Sequence, residues 1–213
     1  MTSATVFVVD DDAGIRYSLT VLLETAGLHV ESFVSAEDFL QDSRPDREGC
    51  LVLDVRMPGM SGSALQAELA QRGVTLPIIF LTAYADFSTG MAAMRQGAVD
   101  FLTKPVNGAL LLERVQAALD RHSALRRANV ARGLFELSLG RLTCREREVL
   151  ALALSGMANR DIAARLEISL RTIEGHRSRI YLKTGAGSLL ELAQQATCAG
   201  MALAEIAPAP TPS

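Results

Sequence analysis

Two hydrophobic rhythms alternate along the first half of the chain. Residues 5–9, 51–53, 77–81 and 99–102 are short apolar runs, most without the polar alternation of a half-exposed strand. Between them, apolar residues recur at helical spacing: Ile15, Leu19, Leu22 and Leu23; Leu65 and Leu69; Met91, Met94 and Ala98. A weaker strand at residues 29–33 precedes a short helix near 36–40. Strands that are apolar on both faces, separated by amphipathic helices, predict an α/β fold: a parallel sheet wound by helices on both sides. From Gly108 the rhythm becomes purely helical. Leu111, Leu112, Val115, Ala118, Leu119, His122 and Leu125 predict one long amphipathic helix, followed by four shorter ones.

Composition sharpens this division. The 213 residues suit one large domain or two small ones, and 49% apolar content is enough to bury a core. No charge-free stretch exceeds 13 residues, as at 73–85, whereas a membrane-spanning helix needs about 20. The N-terminus enters a strand without the basic and apolar regions of a secretory signal. Cys50, Cys144 and Cys198 are odd in number and lie 94 and 54 residues apart, which predicts reduced, buried thiols in a cytoplasmic protein. The net charge of −3 conceals an asymmetry: residues 1–120 carry 8 basic against 16 acidic groups, and residues 121–213 carry 13 against 8. An acidic module joined to a basic one suggests that the second half meets nucleic acid, and that the acidic half restrains it at low ionic strength.

In a parallel α/β sheet, function collects at the carboxyl ends of the strands. Those ends carry Asp10, Asp11, Asp12, Asp54, Thr82 and Lys104. Crowded carboxylates need a counter-cation, and an oxygen-only set favours a hard ion such as Mg2+. Lys104 supplies a point charge and Thr82 a hydroxyl donor for a phosphoryl group, and a carboxylate among them can attack phosphorus. Asp12 reads as the N-cap of the helix starting near Ala13.

These segments together resemble the receiver domain of two-component response regulators. The matching stretches are Val8 to Asp12, Leu53 to Gly62 (Leu-Asp-Val-Arg-Met-Pro-Gly-Met-Ser-Gly), Leu81-Thr-Ala83, and Gly97 to Pro105 (Gly-Ala-Val-Asp-Phe-Leu-Thr-Lys-Pro). The resemblance implies a flavodoxin-like five-stranded parallel sheet with Asp54 as phosphoacceptor. It places Mg2+ on Asp10, Asp11, Asp54 and the backbone carbonyl of Arg56, and the phosphoryl group on Thr82 and Lys104. Phe101 would be the switch aromatic, and the peptide before Pro105 would be cis. The segment Asp86 to Met91, rich in Ser, Thr and Gly, reads equally as a loose loop or as a helix poised to reorder on phosphorylation.

Arg121 to Arg132 holds four arginines and reads as an exposed linker, punctuated by Gly133 and Gly140. Thr143 and Glu146 have the spacing of a capping box, Gly156 ends that helix, Asn159 caps a second, and Ser169 caps a third. The third helix turns Ile173, His176 or Arg177, and Ile180 inward, and offers Arg171, Thr172, Glu174, Ser178, Arg179 and Lys183 outward. A fourth runs from about Ser188 to Ala199. A short helix, a tight turn and a helix with a basic outer face describe a helix-turn-helix that enters a major groove.

Leu142-Thr-x-Arg-Glu-x-Glu-Val-Leu150, Gly156-x-x-Asn-x-x-Ile-Ala163, and Ile168 to Arg177 with Ile180 and Lys183 are similar to the LuxR-type DNA-binding domain. With the receiver in front, the whole chain resembles the NarL/FixJ family, its FixJ branch above all. The resemblance implies DNA contacts from Asn159, Arg171, Thr172, Glu174, Gly175, His176, Arg177, Ser178, Arg179 and Lys183, with Arg177 and Lys183 on phosphates. Two residues depart from the family pattern. Gly175 stands where Val is common, near the base edges, and Thr184 replaces an apolar residue before the dimerising fourth helix.

The domains are therefore expected at 1–120 (receiver), 121–138 (helical linker), 139–204 (an all-α, four-helix, LuxR-type helix-turn-helix) and 205–213 (a disordered, Pro-rich tail). The expected function is a cytoplasmic transcription regulator, not an enzyme and with no membrane partner. A sensor histidine kinase would phosphorylate it at Asp54 with Mg2+, after which it would act as a homodimer on promoter DNA with RNA polymerase as a further partner. The rival reading is a Mg2+-dependent phosphatase with an aspartate nucleophile. Arg56 speaks against it, because such enzymes usually carry a carboxylate two residues beyond the nucleophile.

Overall fold

The computed structural model describes residues 4–42, 48–83 and 100–207. The segment Asp86 to Met91 and the helix predicted through Met91, Met94 and Ala98 lie outside the described residues. The chain divides into two compact units, Met1–Ala124 and Leu125–Ser213, and each is described by itself.

In the first unit, β1 (Thr5–Val9), β2 (His29–Phe33), β3 (Gly49–Asp54), β4 (Ile78–Thr82) and β5 (Asp100–Thr103) form one sheet in the order β2-β1-β3-β4-β5. Every pairing is parallel. The connections include α1 (Ala13–Thr25), α2 (Ala36–Asp42) and α3 (Gly62–Gln71), and α4 (Gly108–Gly140) follows β5.

Successive strand residues point to opposite faces, and two apolar layers result. Phe7, Val9, Leu51 and Leu53 pack with Phe39 of α2 and Leu65 and Leu69 of α3. Val6, Val8, Cys50 and Val52 pack with Leu19 and Leu23 of α1 and Leu111 and Val115 of α4. β3 is buried along its whole length, which is why the sequence shows no alternation there. β1 lies between β2 and β3, so the connection leaving β1 runs one way, to β2, and the connection leaving β3 runs the other way, to β4. The crevice formed at such a reversal is where α/β sheets place their ligands.

The second unit consists of the far part of α4 with α5 (Cys144–Leu154), α6 (Asn159–Arg165), α7 (Leu170–Thr184), α8 (Leu189–Cys198) and a last turn, α9 (Leu203–Ile206). Phe135, Leu139, Val149, Leu150, Ile162, Ile173, Ile180, Leu192 and Ile206 form its core. The predicted capping box is present: Glu146 N–H donates to the Thr143 hydroxyl (3.2 Å) and Thr143 N–H to the Glu146 carboxylate (2.8 Å). Ser169 and Ser188 cap α7 and α8 as predicted.

Some expectations need correction, though the stretch read as a helical linker is helical, with α4 running through Gly133 to Gly140. Phe135 and Leu139, one turn apart, are both buried in the second core, and that packing outweighs the roughly 1 kcal/mol cost of a helical glycine. The distal linker is therefore part of the second unit. At the other end, Ile206 is fully buried, so ordered packing extends into the segment expected to be tail. The N-cap of α6 is Ala158, which offers no side-chain cap, and Asn159 is its first helical residue. Cys50 is buried, but Cys144 and Cys198 are exposed. Both lie on helix ends, where an apolar sequence setting does not guarantee burial.

Candidate functional site

The register of three strands builds an acidic cluster. Asp10 directly follows β1, Asp54 ends β3, and Lys104 follows β5. Asp10 is fully buried, Asp54 nearly so, and Thr82 at the end of β4 is 1% exposed. The Lys104 ammonium donates to Asp10 Oδ2 at 2.8 Å and to Asp54 Oδ2 at 2.7 Å, joining residues 94 and 50 positions apart. The other oxygens are held by the backbone: Asp12 N–H donates to Asp10 Oδ1 (3.0 Å) and Arg56 N–H to Asp54 Oδ1 (3.2 Å). The Lys104–Pro105 peptide is cis, as anticipated. Lys104 N–H donates to the Thr82 carbonyl (2.8 Å), setting the two strand ends side by side.

Carboxylate oxygens of Asp10, Asp11 and Asp54 all lie within 4.8 Å of one another. Three carboxylates against one ammonium leave a formal charge of −2, which a divalent cation would neutralise, and the donors are all oxygen, as a hard ion prefers. Burial holds the Asp10 carboxyl above its ordinary pKa despite the opposing hydrogen bonds from Lys104 and Asp12. For Lys104 burial acts downward, but the hydrogen bonds to Asp10 and Asp54 outweigh it and hold the ammonium above its ordinary value. Both effects express the same fact, that charge is enclosed here and depends on its partners. Asp12, by contrast, caps α1 by accepting from Gly14 N–H (2.7 Å) and Ile15 N–H (3.1 Å).

Thr82 also lies at this end of the sheet, and Phe101 sits two residues before the end of β5, opposite Phe80. The Thr82 hydroxyl donates to the carbonyl of Ala83 (3.1 Å), and Phe101, half-buried on β5, packs against the Phe7–Phe80 layer. Gly62 explains how α3 can start so close: a Cβ there would stand 2.2 Å from the Asp54 carbonyl oxygen. Arg16 escaped the sequence reading. Its guanidinium donates to the backbone carbonyl of Asp10 at 2.7 Å, and the only signal was a basic residue in the first turn of α1.

In the second unit, α6 and α7 are joined by a tight turn in which Glu167 adopts φ of 54°. Arg145 donates to the carbonyl of Leu166 (2.5 Å), bracing that turn. Along α7, Arg171, Thr172, Glu174, Ser178 and Arg179 are exposed, while Ile173 and Ile180 are buried. Gly175 is half-buried, and a Cβ added there would meet nothing within 4 Å. His176 and Arg177 are both half-buried, and His176 Nδ1 finds no partner among the described residues.

Three residues expected at DNA have partners inside the domain. Arg177 donates to Asn159 Oδ1 (2.7 Å) and to the Tyr181 hydroxyl (2.7 Å), and its guanidinium also lies over the Tyr181 ring. Lys183 donates to the buried carboxylate of Glu146 (2.7 Å). Sequence spacing shows the capping role of Glu146 but not a partner 37 residues away.

The sequence comparisons agree with this geometry. Residues 6–116 match the response regulator receiver domain, and residues 140–196 match the bacterial regulatory proteins of the luxR family. The chain is 42% identical to the transcriptional regulatory protein FixJ of Azorhizobium caulinodans, covering 95% of this chain and 96% of that one. It is 39% identical to the tetrathionate response regulatory protein TtrR of Salmonella typhimurium, covering 89% and 90%. Among solved structures, response regulator StyR superposes with a TM-score of 0.77 at 40% identity, over 92% of this chain and 99% of the other. Full-length FixJ of B. japonicum gives 0.61 at 35%, over 94% and 98%. A sheet that gathers a lysine and three aspartates, followed by a braced helix-turn-helix, thus has relatives along almost its whole length. The chain belongs to the NarL/FixJ family of two-component response regulators, DNA-binding transcription regulators rather than enzymes, in which a receiver served by a sensor kinase is joined to a LuxR-type helix-turn-helix domain.

Proposed function

We propose that Asp54 is the phosphoacceptor and that its phosphorylation controls DNA binding by α7. The observation that carries this reading is the Lys104 ammonium, which joins Asp54 to Asp10 at the carboxyl edge of the sheet. An Asp54 carboxylate oxygen attacks the phosphorus of a phosphohistidine on the kinase. The new P–O bond forms as the P–N bond breaks, and the imidazole nitrogen leaves and is protonated. Lys104 neutralises the transferred phosphoryl oxygens and keeps the attacking carboxylate oriented. Asp10, Asp11, Asp54 and the backbone carbonyl of Arg56 would hold Mg2+, which when bound supplies charge neutralisation to the phosphoryl group.

The aspartyl phosphate then draws the Thr82 hydroxyl from the Ala83 carbonyl, and Phe101 follows into the space released. The altered receiver surface pairs two chains in the cytoplasm, and two copies of α7 occupy adjacent half-sites on promoter DNA, with RNA polymerase as the further partner. Arg171, Thr172, Glu174, Gly175, His176, Ser178 and Arg179 form the face that meets DNA, and Asn159, Arg177 and Lys183 hold that face in place from within the domain. Incubation of the wild-type chain with acetyl phosphate and Mg2+ should add one phosphoryl group by intact-protein mass, and Asp54→Asn should abolish it. An adduct of wild-type yield on the variant would overturn the assignment.

A further inference from the structure

The far part of α4 carries an apolar face that its own domain does not use. Val130, Leu134 and Leu137 are 59%, 64% and 69% exposed. They line a shallow concavity with Gly133 and Gly140, where an added Cβ would meet nothing within 4 Å. At 100° per residue this stripe lies opposite Phe135 and Leu139, which anchor the helix in the core. Three exposed aliphatic side chains at spacings of four and three, beside two glycines that leave the backbone open to close approach, make a seat for another helix.

The charges at its ends indicate what can sit there. Arg127, exposed, stands seven residues before Leu134 on the same stripe, and Arg141, also exposed, is the first residue past the end of the helix, so a basic group lies at each end of the apolar patch. Within it, Glu136 pairs with Arg132 at 2.9 Å, an arginine that it shares with Glu205 at 2.8 Å. A second copy of this helix fits poorly. Side by side in parallel, Arg127 meets Arg127 and Arg141 meets Arg141; antiparallel and centred on Leu134, Arg127 meets Arg141. Either register places like charges together, which is unfavourable. The exposed apolar surface is also short, about two helical turns, well below the roughly 1,200 Å² that a stable self-standing interface buries.

We propose that this face docks an acidic amphipathic helix of a partner protein, with apolar residues at its centre and a carboxylate near each end to meet Arg127 and Arg141. The contact is small and transient, suited to a partner already held close while the chain is on DNA. It shares no residue with the DNA-facing side of α7 or with the acidic cluster of the receiver.

The test uses the full chain and a fluorescein-labelled, Ala-rich, 18-residue helical peptide bearing Leu at spacings of three and four and Glu at both ends, with a twin carrying Lys in place of Glu. By fluorescence anisotropy at low salt, the Glu peptide should bind about ten-fold more tightly than the Lys peptide. Leu137→Ser should weaken it several-fold, and the double variant Arg127→Glu, Arg141→Glu should reverse the preference. All three positions are exposed, so the variants should keep the far-ultraviolet circular dichroism of the parent. The proposal is overturned if the Glu peptide shows no binding up to about 1 mM, if both peptides bind alike, or if the charge reversal leaves the preference unchanged. It is equally overturned if sedimentation velocity shows the wild-type chain to be self-associated and Leu137→Ser to dissociate it, because the face would then belong to a second copy.

Discussion

The Glu146 carboxylate shows how one buried charge can organise a domain. Burial alone would push its pKa up, but the Lys183 ammonium and the amide and hydroxyl of Thr143 outweigh that and hold it below the ordinary carboxylate value. A carboxyl whose folded pKa is depressed contributes stability that is fully present above its unfolded pKa, near about 4.3, and is lost as pH falls through the folded value. Urea unfolding of the fragment 125–213 should therefore show stability falling below about pH 4.5, and Glu146→Gln should flatten that fall. Lys183→Ala should cost about 1–3 kcal/mol at neutral pH, by leaving a buried carboxylate short of its partner. The salt slope of DNA binding should hardly change; a slope lower by a full unit would return Lys183 to the phosphates. At Gly62 the reason is steric rather than electrostatic. A methyl group at 2.2 Å from the Asp54 carbonyl oxygen must displace the backbone of Asp54. Gly62→Ala should slow labelling by acetyl phosphate about ten-fold or more, since small misplacements of a nucleophile are costly.

At the scale of elements, α4 is the informative case. Its first turns bury Leu111, Val115 and Ala118 against the sheet, and its last turns bury Phe135 and Leu139 in the second core. A helix that looks like a linker therefore contributes to one core in each unit. Phe135→Ala should destabilise the 125–213 fragment by about 3–5 kcal/mol, read from its urea midpoint. A loss under about 1 kcal/mol would mean that the aromatic ring adds little to the core. The turn between α6 and α7 is set by similar economy: Arg145 reaches the Leu166 carbonyl, while Arg177 ties α7 to the start of α6 through Asn159. The basic residues of this domain divide into those that brace the helix-turn-helix and those left on its surface.

Across the whole molecule, the dominant feature is the division of charge, −8 in residues 1–120 and +5 in the remainder. An acidic half lowers the local potential that draws a polyanion to the basic half, an effect screened beyond about 10 Å at 0.1 M salt. Fragment 125–213 should accordingly bind operator DNA more tightly than the unphosphorylated full chain at low ionic strength, with the difference shrinking as salt rises. Electrophoretic mobility shifts at three salt concentrations would show this, and equal affinities at every salt would exclude an electrostatic restraint. The shorter fragment 139–213 lacks Phe135 and should prove the less stable.

The α/β architecture, the acidic strand ends and the helix-turn-helix were legible in the sequence because each rests on local periodicity. Two-sided apolar runs mark buried parallel strands, and Thr143 with Glu146 marks a helix start within four residues. The grouping of Asp10, Asp54 and Lys104 could be inferred because all three lie at the carboxyl ends of strands, and a parallel sheet brings strand ends together. What sequence could not supply is whatever depends on packing between distant segments. The pairing of Lys183 with Glu146 and of Arg177 with Asn159 is decided by how α7 crosses α5 and α6. The continuation of α4 through Gly133 is decided by two side chains beyond it that find a core. The exposure of Cys144 and Cys198 follows from the same cause: local pattern shows which residues can be buried, and only the tertiary contacts determine which of them are.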